Sequence, residues 1–537
     1  MLSLPESEAA SGGAQAGAAR EPALPTQTFR SVLDLSPEDE AAVETPETPP
    51  CFVDLNLDQI VASIIAGKNE YGLAPFFYRP LKTRAALAYR QDVMRDLEND
   101  ARLDAINEFA ASLRSARGRV AQAGKLYYQE QKEAWLLDAA ALYRQAVVRL
   151  LSRLQASKPT SAGLAGFLAY LDEYVGSPAF RRLSEDVATV AEKLAAVRYN
   201  LLIGAGFVTV SACADEPDYG AEIQADFEKF KQGAAADHDF KFSDTVQMNH
   251  IEAGVLARVA LLHPDAFAEL HAFVARHADF VDPTVDRFDR EIQFYVAYVA
   301  HMRRIVAAGV RFCYPSVSAT SKTIGATECY DVALAGRSLD HRLPIVTNDF
   351  HLDGRERILV VSGPNQGGKT TFARTFGQLH YLAALGCPVP AASADLYLFD
   401  RLFTHFEREE DIRNLRGKLH DDLSRLRDSL SQATPNSIII LNEVFNSTSL
   451  RDAVFLCTRV LTRIVALDAI CVCVTFIDEL ATLSATTVSM ASNVRPDNLA
   501  ERTFKITRRP PDGLAYALSI AEKYRLAYAQ LRERLGS

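Results

Sequence analysis

Apolar residues recur at three- and four-residue spacing through most of the first 310 positions, then give way to short, continuous apolar runs. From Asp54 to about Asn200 the pattern is helical almost throughout. Trp135, Leu136, Ala139, Leu142, Tyr143, Ala146, Leu150 and Leu154 mark one long amphipathic helix. Between Leu201 and Val210 an apolar alternation containing Gly204 and Gly206 predicts a short hairpin. Helical periodicity returns near Ile251 and takes in Phe288, Ile292, Tyr295, Val299 and Met302. Beyond about Cys313 the runs Ile358–Val361, Ser437–Leu441 and Cys471–Thr475 alternate with helical stretches. Such alternation gives a mainly parallel sheet covered by helices on both faces. Residues 1 to 50, rich in Ala, Glu, Pro, Ser and Thr, hold too little apolar surface to offset ordering entropy. They are expected to be mostly disordered, with Phe29 to Leu33 as a short ordered contact.

Composition narrows the function classes only slightly. At roughly 150 residues per domain the length suggests about three structural units. The 58 basic and 68 acidic residues leave a net charge of −10, so bulk attraction to nucleic acid is absent and a local basic groove would be needed for it. Arg144, Arg149 and Arg153 on the long helix are candidates for phosphate contacts, and a solvated helix face explains the same row. No apolar run approaches the ~20 residues that cross a bilayer. The N-terminus lacks the basic-then-apolar order of a secretory leader. Eight cysteines occur without a C-x-x-C pair, and Cys471 and Cys473 alternate in an apolar strand as buried, reduced thiols. The expected location is therefore cytoplasmic.

The chemistry concentrates in one loop. Gly363-Pro364-Asn365-Gln366-Gly367-Gly368-Lys369-Thr370-Thr371 follows the strand-like run Ile358–Val361 and precedes a helical stretch. This is a P-loop in its proper context: backbone N–H groups wrap phosphates, Lys369 reaches the β and γ oxygens, and Thr370 offers a hydroxyl to Mg²⁺. A P-loop enzyme also needs an acidic residue after a buried strand to hold Mg²⁺ through water, and a base to orient the attacking water. After Ser437–Leu441 come Asn442 and Glu443. Glu443 is placed to act as general base. Asn442 can accept a hydrogen bond from a metal-bound water but brings no charge. Its hold on Mg²⁺ should be weaker by about one order of magnitude, with Asp395 and Asp400 as the alternative carboxylates.

Asn348-Asp349, the P-loop with Pro364-Asn365 after its first glycine, Val389-Pro390-Ala391, Asn442-Glu443 and Thr448-Ser449-x-x-Asp452 together resemble the ATPase domain of MutS, the DNA mismatch-repair family. The strong resemblance covers about residues 340–480. Pro80-Leu81-Lys82-Thr83-Arg84 and Tyr89-Arg90-Gln91-Asp92-Val93 look like the opening of that family's helical core-and-lever domain. The resemblance implies an α/β P-loop ATPase domain of ABC type over 312–537. It would be preceded by a mostly helical core/lever domain over 51–311 with its hairpin near 201–250. Also implied are ATP and Mg²⁺ as cofactors, a homodimer with composite sites, DNA as a partner and no membrane.

Departures from the family pattern qualify the activity. The trans-acting signature should fall near Leu415-Arg416-Gly417-Lys418-Leu419-His420-Asp421-Asp422, where the family's Ser-Thr-Phe is missing and Gly417 and Lys418 stand in. The Thr-His of the family is Thr475-Phe476 here. No Phe-x-Glu mismatch-reading motif sits in an N-terminal module, so a short member without that module is expected. Ser211–His250 carries nine acidic residues against three lysines, a poor DNA clamp. The resemblance therefore implies an ATP-dependent DNA-binding protein that recognises DNA structure in repair or recombination. It would be a weak ATPase that uses ATP to change lever geometry. The alternative is a nucleotide-gated interaction protein with little or no ATPase and no direct DNA binding.

Overall fold

The computed structural model describes residues 29–35, 47–213, 248–341, 343–407, 417–495, 498–510 and 532; most of the acidic stretch Ser211–His250 lies outside them. Contacts divide the described chain into two compact units, one drawn from 111–151 and 169–281, the other from 29–110, 152–168 and 282–537. The helical stretch 51–311 is shared between them. Its elements are α1 (Cys51–Asp54), α2 (Leu57–Ile64), α3 (Ala74–Phe77), α4 (Arg84–Asp96), α5 (Asp100–Ala123), α6 (Gln129–Ser157), α7 (Ala162–Gly176), α8 (Pro178–Ala195), β1 (Tyr199–Gly204), β2 (Phe207–Ala212), α9 (His250–Leu262), α10 (Pro264–Arg276) and α11 (Pro283–Val306). The helix starts follow local chemistry. Thr83 caps α4, Ser177 caps α8 ahead of Pro178, Asn249 and Glu252 form a capping box on α9, and Asp282 caps α11.

In the first unit α8 buries Phe180, Leu183, Val187 and Val190, and α10 buries Leu270 and Phe273. Ion pairs join these two helices: Lys193 with Glu269 at 3.2 Å, and Arg276 with Asp186. The strands β1 and β2 form an antiparallel hairpin with Leu202 opposite Thr209. Its apolar residues Leu202, Ile203 and Phe207 are exposed rather than turned inward.

The second unit holds the sheets. Further elements are β3 (Ser316–Ser318), β4 (Ile324–Cys329), α12 (Val332–His341), β5 (Asn348–Leu352), β6 (Ile358–Ser362), α13 (Lys369–Ala384), β7 (Ser393–Tyr397), β8 (Leu402–His405), α14 (Lys418–Gln432), β9 (Ile438–Asn442), α15 (Leu450–Leu467), β10 (Ile470–Val474), β11 (Thr487–Arg495) and β12 (Asn498–Arg508). Six strands pair in the order β12-β11-β6-β10-β9-β8. All neighbours are parallel except the edge pair β11–β12. Every residue of β6, β9 and β10 is buried, which explains why these strands read as continuous apolar runs. One face packs Ile439, Leu441, Cys471 and Cys473 against Cys457, Leu461 and Ile464 of α15. Burial pushes the Cys471 and Cys473 thiols well above their ordinary value, so they are inert packing groups.

A second sheet, β3-β7-β4-β5, accompanies the first and is mostly antiparallel; of its neighbouring pairs only β3–β7 is parallel. Residues 29–35 dock in this unit. Glu291 Oε2 accepts hydrogen bonds from Ser31 Oγ (2.9 Å) and Val32 N (3.0 Å), Tyr295 donates to the Val32 carbonyl (2.7 Å), and Arg90 donates to the Leu33 carbonyl (2.9 Å). Burial raises the Glu291 carboxyl to about 7 despite these donors. No helix among the described residues is long and apolar enough to cross a membrane.

Candidate nucleotide site

The loop after β6 is held open by backbone conformations that its residues permit. Gly363 and Gly368 take φ values of 118° and 90°, and Gln366 lies at 58°. Gly368 is the left-handed N-cap of α13, so the helix starts directly at Lys369. Its first-turn residues Thr370 and Thr371 line a cavity, and a helix N-terminus so placed is the arrangement that receives an anion. Strand β11 supports the loop from below: Ser492 Oγ donates to the Gly367 carbonyl at 2.8 Å. A Cβ on Gly367 would collide with that hydroxyl and with the Pro364 carbonyl, so the close approach requires glycine.

Lys369 is buried at the centre. Its ammonium donates to the carbonyls of Gly363 (2.9 Å) and Pro364 (3.2 Å) and to Asn365 Oδ1 (3.3 Å), and lies 3.7 Å from Glu443 Oε1. Burial lowers the Lys369 pKa, and the facing Glu443 carboxylate pulls it back up. Glu443 follows β9 with φ 50°, its N–H bonded to the Val474 carbonyl at 2.9 Å. Asn442, the last residue of β9, is buried, and its Oδ1 finds no hydrogen-bond partner.

A cavity of about 450 Å³ brings these groups together. It is lined by Gln366, Gly367, Gly368, Lys369, Thr370, Thr371 and Glu443; Gly363, Pro364, Asn365 and Asn442 are not among its lining residues. Its other wall, formed by Leu334, Leu343, Pro344, Ile345, Val346 and Phe504, has no forerunner in the sequence reading. The Pro-containing apolar run 343–346 just before Asn348 was the signal available; nothing in the sequence marks Phe504. Asp395 sits in β7 of the other sheet, and Asp400 accepts from Ser437 Oγ (2.8 Å) at the opposite end of β9, so neither carboxylate reaches the loop.

Residues 359–522 match the family description MutS domain V. The chain carries a MutS domain V. It is similar to the DNA mismatch repair protein MutS of Zymomonas mobilis, 29% identical over 384 residues, which is 67% of this chain and 42% of that protein. It is also similar to the DNA mismatch repair protein MutS of Shouchella clausii, 32% identical over 179 residues, 31% of this chain and 20% of that protein. The chain thus spans less than half the length of these relatives.

Within the MutS frame, the remaining motif residues have definite places. Asn348 opens β5 and clamps β12, accepting from Ile506 N (2.7 Å) and donating to the Phe504 carbonyl (3.2 Å). Val389 and Cys313 exchange backbone hydrogen bonds of 2.8 and 3.0 Å. Ser449 caps α15, its hydroxyl 2.7 Å from Asp452. Thr475 N–H bonds to the Val361 carbonyl at 3.0 Å, and Phe476 beside it is half exposed. Of the signature stretch, Leu415 and Arg416 lie outside the described residues; Gly417 is the N-cap of α14, and Lys418 pairs with Glu407. On α6, Arg153 pairs with Glu108 and the Nε of Arg144 is buried, so the arginine row is not a free basic stripe.

Proposed function

We propose that this chain binds ATP at 363–371 and hydrolyses it slowly, driving a DNA-binding protein that acts in repair or recombination. The observation that carries the reading is the buried Lys369 ammonium, set on loop carbonyls and 3.7 Å from Glu443 in one cavity. In this reading the N–H groups of the loop Gly363–Thr371 cradle the phosphates, and Lys369 exchanges its loop acceptors for β and γ oxygens. The fit to Mg²⁺ rests on Thr370 at the helix start and on Asn442, whose Oδ1 lacks a partner and can accept from a metal-bound water. When bound, Mg²⁺ supplies charge neutralisation on the phosphate oxygens. Glu443 takes the proton of the attacking water. The uncharged Asn442 makes the metal hold weaker and the ATPase slow.

The wider role rests on the relatives, both named as DNA mismatch repair proteins. We extend from it the division into a core/lever part (51–311) and an ATPase part (312–537), a homodimer with Gly417 and Lys418 acting across the interface, and a cytoplasmic location. An ATP titration by calorimetry, followed by salt-dependent binding to homoduplex, mismatch, four-way junction and single strand, tests the proposal. Micromolar-range ATP binding with preference for branched DNA is expected; absence of ATP binding ends it. The second reading, a nucleotide-gated interaction protein, is favoured by Asn442 and Phe476. It predicts ATP binding with no turnover above a Glu443→Gln control and no binding to any DNA form.

A further inference from the structure

Residues 29–35 belong to no helix or strand, yet Ser31, Val32, Leu33 and Asp34 are buried. The residues on either side, 1–28 and 36–46, lie outside those described. Side chains of α4 and α11 read the backbone of this segment one group after another. Tyr89 donates to the Ser31 carbonyl (2.6 Å), Tyr295 to the Val32 carbonyl (2.7 Å) and Arg90 to the Leu33 carbonyl (2.9 Å), while Glu291 accepts from Val32 N (3.0 Å). Both ends are anchored. Phe29 lies edge-on to Phe167 at 5.3 Å, and the Asp34 carboxylate stands 3.5 Å from Arg90 and 3.7 Å from Arg79. The segment makes its own turn, with Ser31 Oγ accepting from Leu33 N (3.0 Å) and Asp34 N (2.9 Å). A short stretch ordered by the surface that receives it, without strand or helix pairing, has the character of a linear peptide motif in its groove.

Arg90 ties that groove to the helix that begins at Lys369. It is only 4% exposed, and besides the Leu33 carbonyl and Asp34 it donates to the carbonyl of Leu385 (3.2 Å), the C-cap of α13. Gly386 follows at φ 78°, where a Cβ would come within 2.7 Å of Arg90 Cβ, so the contact is close. If the segment leaves, Arg90 keeps the Leu385 carbonyl and the face of the Phe294 ring (5.4 Å) but loses the Asp34 carboxylate and the Leu33 carbonyl. A buried guanidinium deprived of its partners is costly, so Arg90 must move, and the end of α13 with it. We propose that Tyr89, Arg90, Glu291 and Tyr295 form a peptide-binding groove, that residues 29–35 are its detachable ligand, and that filling the groove fixes the C-terminal end of α13 through Arg90. This goes beyond the nucleotide reading and stands without it.

The test uses the full chain with a specific protease site placed within 36–46, cut under native conditions. The N-terminal fragment should stay with the body at first and leave it on dilution or in excess synthetic peptide of residues 27–37. The same peptide carrying Asp34→Asn should bind about tenfold more weakly, because Arg90 loses its charged partner. Hydrogen exchange reads the coupling at the amides of Leu385, Gly386 and Cys387, which bond back to Tyr381, Ala383 and Leu382. These amides should exchange about tenfold faster when the groove is empty and recover when the peptide is added. A fragment that never exchanges, or a body that unfolds when the fragment leaves, overturns the proposal, because the segment is then a fixed part of the core. Peptide exchange with no change at those three amides also overturns it, because Arg90 then carries nothing to α13.

Discussion

The two ends of the six-stranded sheet treat polar groups in opposite ways. Where β6, β9 and β10 begin, the charges are paired: Asp468 with Lys322 (2.8 Å) and Arg357 (2.7 Å), and Asp400 with Ser437 (2.8 Å) and Thr434 (2.5 Å). Where the same strands finish, Asn442 Oδ1 has no partner, Lys369 rests on loop carbonyls, and Gln366, Glu443 and Phe445 hold left-handed backbone. Buried polar groups are ordinarily satisfied, and strained residues cost about 1–3 kcal/mol each. One end therefore spends its polar groups on holding the sheet together. The other leaves polar groups unspent, as the proposed nucleotide reading requires.

Substitutions at the two ends should separate accordingly. The largest effect is expected at Glu443→Gln: phosphate release should fall by about 10²–10⁴-fold while ATP affinity stays nearly constant. A rate that does not change would move the base elsewhere and erase the contrast. Asn442→Asp sharpens it. A carboxylate at a buried, unpartnered position should destabilise the nucleotide-free chain by about 1–3 kcal/mol, and Mg²⁺ with ATP should recover that loss and raise turnover about tenfold. Equal melting with and without Mg²⁺ and ATP would show that Asn442 does not face the metal. At the opposite end, Asp468→Ala should lower stability by about 1–2 kcal/mol through the half-buried Lys322 and Arg357, with ATP affinity untouched.

A separate, pH-dependent effect concerns Glu291, a perturbed carboxyl far from the loop in sequence and bound to Ser31 and Val32. Burial raises it to about 7 from 4.5, with Arg287 opposing and Asp34 reinforcing. The folded state then holds a proton that the unfolded state has lost. Its contribution is complete below about pH 4.5 and declines up to pH 7, by at most about 1.4 kcal/mol per pH unit. Melting curves of Glu291→Gln across that window should lack this slope. A strongly shifted pKa would in that case mark a docked N-terminal segment rather than a reactive site, and comparison with the loop shows that the shift alone is no guide to function.

Much of the second unit was legible because its physics is local. Strands covered on both faces must be apolar throughout, and β6, β9 and β10 lie within a residue of the runs read from sequence. The loop was legible because glycine and lysine at fixed spacing have few other uses. The second sheet was not: β4 and β7 mix buried and exposed positions, and the pairing of β3, β4 and β7 joins residues some 70 positions apart, which no local pattern records. Phe504 escaped for a related reason. It reaches the cavity only because Asn348, 156 positions earlier, clamps its carbonyl. The hairpin alternation was visible in the sequence, but its exposed Leu202 and Ile203 show that alternation alone does not say which face will be covered.

The central claim is that the strand-end loop holds nucleotide phosphates through Lys369. Thermal unfolding of the unaltered chain and of Lys369→Ala, each with and without Mg²⁺ and ATP, tests it most directly. At a hundred times Kd, ATP should stabilise the unaltered chain by about 2.7 kcal/mol and leave Lys369→Ala where it was. A variant stabilised by ATP as strongly as the unaltered chain would contradict the account.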